Sequence, residues 1–152
     1  MKTVFLTLSL LLIPMFAAAQ DDIMTRWKAD PTQVFDAAEV DLDALQWVAR
    51  PIVVFAQTPE DPAFQRQMEL LAQNADDLAE RDVIIIADTD PAARTDVRLQ
   101  LRPRAFMFVL IGKDGQIKQR KPRPWNVREI SRTIDKMPMR QQEIEERRSA
   151  RQ

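Results

Sequence analysis

Three short runs along this chain are apolar at every position: Ile52 to Ala56, Val83 to Ala87 and Phe106 to Ile111. Runs of that length, rich in Val, Ile and Phe and bounded by turn formers, are the pattern of strands covered on both faces. Between the first two the period changes. Phe64, Met68, Leu71, Ala75 and Leu78 recur at helical spacing, which predicts an amphipathic helix from Pro62 to about Arg81. Pro62 suits its first turn, where a missing N–H costs nothing. Asp88-Thr-Asp-Pro91 opens a weaker helix with Val97 and Leu101 on one side. After the third run, Gly112-Lys-Asp-Gly115 predicts a tight hairpin turn, and Gln116 to Arg120 returns as a polar strand at or near a sheet edge. Asn126 then caps a helix in which Val127, Ile130, Ile134 and Met137 share one face, and Pro138 ends it. The order is βαβαββα: an α/β domain with a mixed four-stranded sheet flanked by helices and a right-handed crossover between its parallel strands.

The flanks read differently. Lys2, the apolar stretch from Val4 to Ile13 and the small residues Ala17-Ala18-Ala19 form the three parts of a signal peptide over residues 1–19, cleaved to leave Gln20 first. The apolar stretch is too short for a membrane span, so no transmembrane anchor is expected after cleavage. Residues 20–44 are a polar lead-in without clear period, and Asp41 to Trp47 a short helix with Asp41 as its cap. The domain proper is expected over 45–138, with residues 139–152 a charged C-terminal helix or tail, protruding or frayed. The expected location is exported, periplasmic or extracellular.

Composition narrows the chemistry. There is no Cys, no His and no Tyr. Disulfides, thiolate catalysis and zinc–thiolate sites are excluded, and the usual general base is missing. Both glycines lie in the hairpin, so no phosphate-cradling loop exists, and no Ser-x-x-Lys is present. No cofactor is implied and no catalytic residue is assigned. Charge is unevenly distributed: residues 21–100 carry 7 Lys and Arg against 17 Asp and Glu, residues 101–152 carry 14 against 6. Either this marks an interaction surface or the two halves interleave and neutralise each other.

Four segments carry a resemblance to a known family. They are Arg50-Pro-Ile-Val-Val-Phe-Ala56, Leu78-Ala-Glu-Arg-Asp-Val83, Val109-Leu-Ile-Gly-Lys-Asp-Gly115 and Ile134-Asp-Lys-Met-Pro-Met-Arg-Gln-Gln-Glu143. Together they resemble DUF4174, a bacterial family of unknown function whose members are small exported proteins. The resemblance implies a thioredoxin-like fold. It also implies kinship with a domain of animal matrix and sushi-repeat proteins, where a role in adhesion or assembly is supposed. An active thioredoxin places Cys-x-x-Cys at the start of the helix after its first core strand. Here that degenerate redox-site position is held by Thr58, Pro59, Glu60 and Asp61, and Pro103 lies near the place of the second hallmark proline.

Three places invite a functional reading. The loop Thr58 to Asp61 lies where open α/β sheets bind ligands, yet its acids would repel anions and equally read as helix caps. Asp88 and Asp90 flank Thr89 with oxygen donors for a cation, or Asp90 simply caps a helix. The basic stretch Lys118, Arg120, Lys121, Arg123, Trp125 and Arg128 either grips an anionic polymer, with Lys118 and Arg120 on one face, or blocks strand addition at an edge while Trp125 packs inward. The expected function is a redox-inactive, non-catalytic binding or structural module of the cell envelope. Its partner is an unidentified, anionic macromolecule, and export argues against nucleic acid. The alternative is a carboxylate-based or metal-assisted hydrolase using Glu60, Asp61, Asp88 and Asp90.

Overall fold

The structure, a computed structural model, describes residues 23–152. The signal peptide expected over residues 1–19 therefore lies outside the described residues. The three apolar runs form the strands β2 (Arg50–Phe55), β3 (Val83–Asp88) and β4 (Met107–Ile111), and the hairpin returns as β5 (Ile117–Lys121). β2 runs parallel to β3 and antiparallel to β4, and β4 is antiparallel to β5. The sheet has one strand more than the pattern predicts. β1 (Val34–Asp36) pairs parallel with β3, giving the order β1-β3-β2-β4-β5.

The strand period of two sorts the side chains onto two faces. Val53, Phe55, Ile84, Ile86, Val109 and Ile111 point to one, where Phe35 of β1 joins them. Ile52, Val54, Ile85, Phe108 and Leu110 point to the other. The first face is covered by the opening helix α1 (residues 23–29) through Ile23 and Trp27, and by α4 (Asp96–Leu101) through Val97 and Leu101. The second is covered by α2 (Pro62–Gln73), α3 (Ala75–Ala79) and α5 (Val127–Asp135), through Leu71, Leu78, Ile130 and Ile134.

Over its described part, the stretch expected as a lead-in is thus structural. It supplies a strand and a helix, and the Trp27 indole N–H donates to the Val83 carbonyl at 3.2 Å. Other differences follow from capping. The helix expected from Pro62 to about Arg81 is interrupted at Asn74, whose side chain donates to the Leu70 carbonyl at 2.9 Å and whose backbone leaves the helical region. Asp41 caps a turn, accepting from Asp43 N at 2.9 Å, and the helical piece it precedes is a single 3-10 turn, Asp43–Leu45. Asp90 caps another 3-10 turn (Pro91–Ala93), so α4 begins later, at Thr95, whose hydroxyl accepts from Arg98 N at 3.0 Å. Pro138 ends α5 and also starts α6 (Pro138–Ser149), occupying the first turn that proline tolerates.

Candidate functional site

The loop in the redox-site position is spent on capping. Asp61 is the N-cap of α2, its carboxylate accepting from Ala63 N at 2.8 Å and Phe64 N at 3.2 Å. Thr58, Pro59 and Glu60 are exposed around it. The nearby Gln57 amide reaches the Arg104 carbonyl at 3.4 Å, closing the loop toward the segment before β4. Directly beneath, at the end of β3, Asp88 is buried and fully engaged. It accepts from the Thr95 hydroxyl at 2.7 Å and from Arg98 Nε and Nη2 at 3.0 and 2.7 Å. The same Arg98 Nη2 donates to the Ala56 carbonyl at 3.0 Å, and its guanidinium lies 5.4 Å from the Phe55 ring centroid.

The four acids of the hydrolase alternative therefore do not converge. Asp88 is neutralised inside the fold, while Asp61 and Asp90 cap different turns; Asp90 accepts from Ala92 N at 3.0 Å. Among the described residues, no group of three carboxylates is placed to hold a metal ion.

The basic stretch is divided by the sheet. Leu110 pairs with Gln119 and Ile111 with Ile117, so Lys118 is the extra residue of a bulge. Lys118 turns to Asp114, Nζ to carboxylate 2.6 Å. Arg120 points to the other face and donates to the Leu101 carbonyl at 2.7 Å, closing the end of α4. The two cations expected on one face are separated because the bulge resets the alternation. Lys121 lies 5.0 Å from the Trp125 ring centroid. Trp125 packs edge-on against Phe108 at 5.5 Å, and its backbone is held at both polar atoms by the Gln67 side chain, at 2.6 and 3.1 Å. Within this stretch, Arg123 and Arg128 are exposed, and their side chains make no ion pair or hydrogen bond among the described residues.

The densest chemistry lies at the opposite end of the sheet, where the parallel strands begin. Arg50 opens β2 and is 0% exposed. Its Nη2 binds Glu143 Oε1 at 2.9 Å, and its Nη1 donates to the Arg81 carbonyl at 2.8 Å and to Glu143 Oε2 at 3.3 Å. Lys113, from the hairpin, bridges Asp82 and Glu143, each at 2.8 Å. Arg140 extends the chain of charges from Glu143 to Asp135, and Arg81 holds Asp135 with two bonds of 3.0 and 2.9 Å. Burial pushes the Glu143 carboxyl up, but hydrogen bonds from Arg50 and Lys113, and their charges, prevail and hold it at about 2. For Asp135 too, burial raises the carboxyl, and the bonds and charge of Arg81 bring it below its ordinary value. α6 is thus an anchored element rather than a frayed tail, because Arg140 and Glu143 are its fixed points.

All four segments that carry the family resemblance supply members of this network: Arg50, then Arg81 with Asp82, then Lys113, then Asp135 with Arg140 and Glu143. Beside it stands Trp47, 62% exposed and in the left-handed region at φ 67°, its N–H bonded to the Lys113 carbonyl at 2.6 Å. Trp47, Lys113, Lys118 and the Met137-Pro138-Met139 turn enclose a cavity of about 280 Å³ with Arg50 in its lining. The charges of this end are scattered along the chain, so local spacing could not gather them. The one sequence signal was an arginine heading a fully apolar strand.

The family model "Domain of unknown function (DUF4174)" matches residues 41–143. The match ends on Glu143 and leaves α1 and β1 outside it. Among curated proteins, Coiled-coil domain-containing protein 80 of Danio rerio is 27% identical over 133 residues, covering 68% of this chain and 15% of that protein. The chain thus spans a small part of that relative's length. Among solved structures, the reduced 2-Cys peroxiredoxin of Plasmodium vivax superposes with TM-score 0.52 at 14% identity, over 63% of this chain and 81% of that one. A yeast mitochondrial 1-Cys peroxiredoxin gives TM-score 0.50 at 16% identity, over 70% and 97%. At such identities the likeness concerns the fold alone, and the fold is thioredoxin-like.

Proposed function

This chain belongs to the DUF4174 family, and from that premise we propose that it is an exported, redox-inactive module that binds another macromolecule of the cell envelope or extracellular space. The observation that carries the reading is the closed strand end. A thioredoxin-like fold works through a thiol at the start of α2; here there is no cysteine, Asp61 caps that helix and Arg98 neutralises Asp88 below it. Thiol peroxidase or disulfide chemistry has no nucleophile in these residues. Export rests on the signal peptide expected over residues 1–19, and it makes a nucleic acid the wrong partner.

The partner in this reading is anionic. Arg123 and Arg128 stand free on either side of Trp125, and Lys121 lies over its ring. The hydrolase alternative gains nothing from the geometry, since Asp61 and Asp90 are spent on caps, Asp88 on a buried pair, and Glu60 is exposed. The test is retention of the mature protein on heparin, on anionic vesicles and on envelope extract, with wild type compared to an Arg123→Glu/Arg128→Glu variant. Retention should fall steeply with salt for wild type, and less so for the variant, which loses two cationic contacts. Equal retention of both proteins at every salt concentration would refute an anionic partner at this face.

A further inference from the structure

The cavity at the other end of the sheet supports a second, independent site. We infer that the cleft between Trp47 and the Met137-Pro138-Met139 turn binds an apolar carboxylate: a carboxyl group attached to an apolar body the size of one amino-acid side chain. Three separate observations converge there. The first is an unmade hydrogen bond. Arg50 lines the cavity and is 0% exposed, and its Nε–H is buried without an acceptor among the described residues. Buried donors in native proteins are nearly always satisfied, and a charged one most of all, so this guanidinium N–H beside the cavity is a donor that an acceptor oxygen completes once the wall admits it.

The second observation is backbone strain. An aromatic residue in the left-handed region is an outlier, and such strain persists where the surroundings impose it. At Trp47 it holds a side chain 62% exposed in the wall of the cavity that Met137, Pro138 and Met139 also line. Met137 is buried and Met139 half-buried, a polarizable wall that adapts to aliphatic or aromatic guests.

The third is charge. Arg50, Lys113 and Lys118 line the cavity against a single acid, Asp114. Lys113 is committed to Asp82 and Glu143, but Lys118 is paired only with Asp114, and both side chains of that pair are about a third exposed, at 29% and 34%. An exposed pair of this kind has little net strength and opens readily to a competing carboxylate. At about 280 Å³ the cavity falls just under the range of drug-sized pockets. One side chain and its head group fill it.

The site shares Lys118 alone with the basic stretch and uses none of Lys121, Arg123, Trp125 or Arg128, so it stands or falls apart from the anionic partner proposed above. The probe is N-acetyl-leucine, with N-acetyl-leucinamide lacking the charge and acetate lacking the body. Binding is read from the indole N–H resonance of Trp47, assigned by its loss in Trp47→Ala. N-acetyl-leucine should shift that resonance saturably with Kd on the order of 1 mM, and the amide at least about tenfold more weakly. Acetate should not shift it. Lys118→Glu should weaken N-acetyl-leucine by about tenfold, and Trp47→Ala, followed through its remaining resonances, should abolish binding. Both side chains are at the surface, so far-ultraviolet circular dichroism should report folded variants. Absence of a saturable shift, equal binding of acid and amide, or undiminished binding by Trp47→Ala would each overturn the proposal.

Discussion

Replacing Glu143 with Leu tests the network that ties α6 to the sheet. Glu143 is the main counter-charge of a guanidinium that is 0% exposed, and it accepts two of that group's hydrogen bonds, at 2.9 and 3.3 Å. Without it, Arg50 retains the Arg81 carbonyl and a distant Asp82 at 3.9 Å. Breaking a buried pair by removing one partner costs about 3–5 kcal/mol. The Glu143 side chain is 18% exposed, so water relieves part of the loss and the lower end, about 3 kcal/mol, is expected. Glu143→Gln keeps an acceptor oxygen and should cost about half as much. The pH dependence has a fixed sign. A carboxyl lowered from 4.5 to about 2 stabilises the fold above pH 4.5, and that stability is lost as pH falls toward 2. The difference is worth about 3 kcal/mol unscreened, and about 2 after allowance for partial exposure. Urea unfolding of wild type and both variants, from pH 7 down to pH 2.5, gives the assay. The gap between wild type and Glu143→Gln should be widest at pH 7 and narrow below pH 4.5. A Leu variant within 1 kcal/mol of wild type at pH 7, or a gap that stays constant with pH, would refute the reasoning.

Three further outcomes are expected. Arg98→Met strands the Asp88 carboxylate, 1% exposed, and should cost about 4 kcal/mol in urea unfolding, whereas Asp88→Leu/Arg98→Met should recover at least half of that. Trp125→Ala removes the ring that packs on Phe108 and should cost about 2–3 kcal/mol; a thermal midpoint equal to wild type would show that the ring adds nothing. Intact-mass measurement of the exported protein should place its first residue within one or two positions of Gln20, and a mass that retains Met1 would remove the basis for export.

The parts of the fold that were legible are those in which one residue's environment repeats along the chain. β2, β3 and β4 declare themselves because each is covered on both faces, and Asp61 and Asn126 declare two helix starts through local caps. β1 has three residues and a single inward side chain, Phe35, too few to show a period. The break at Asn74 escapes because the apolar spacing continues across it on both sides. The basic stretch was visible as sequence, but its division was not, since a one-residue bulge at Lys118 leaves no compositional mark. The charge asymmetry is answered by interleaving at Lys113, which meets Asp82, whereas the Arg50–Glu143 and Arg81–Asp135 pairs cross between the halves with the opposite sign and leave it standing.

The span of that last set of contacts has a consequence in time. Arg50 and its partner Glu143 are 93 positions apart, so a chain growing from its N-terminus makes the buried cation long before the anion that neutralises it. Until α6 emerges, packing β2 between β3 and β4 leaves the buried Arg50 with the Arg81 carbonyl and a distant Asp82 alone, and that penalty weakens the closed sheet. Chains truncated after residue 137 should therefore be cut quickly by protease, and the chain that runs to Gln152 should resist it. A module weakened in this way until its last helix arrives stays easy to unfold for nearly the whole of its synthesis.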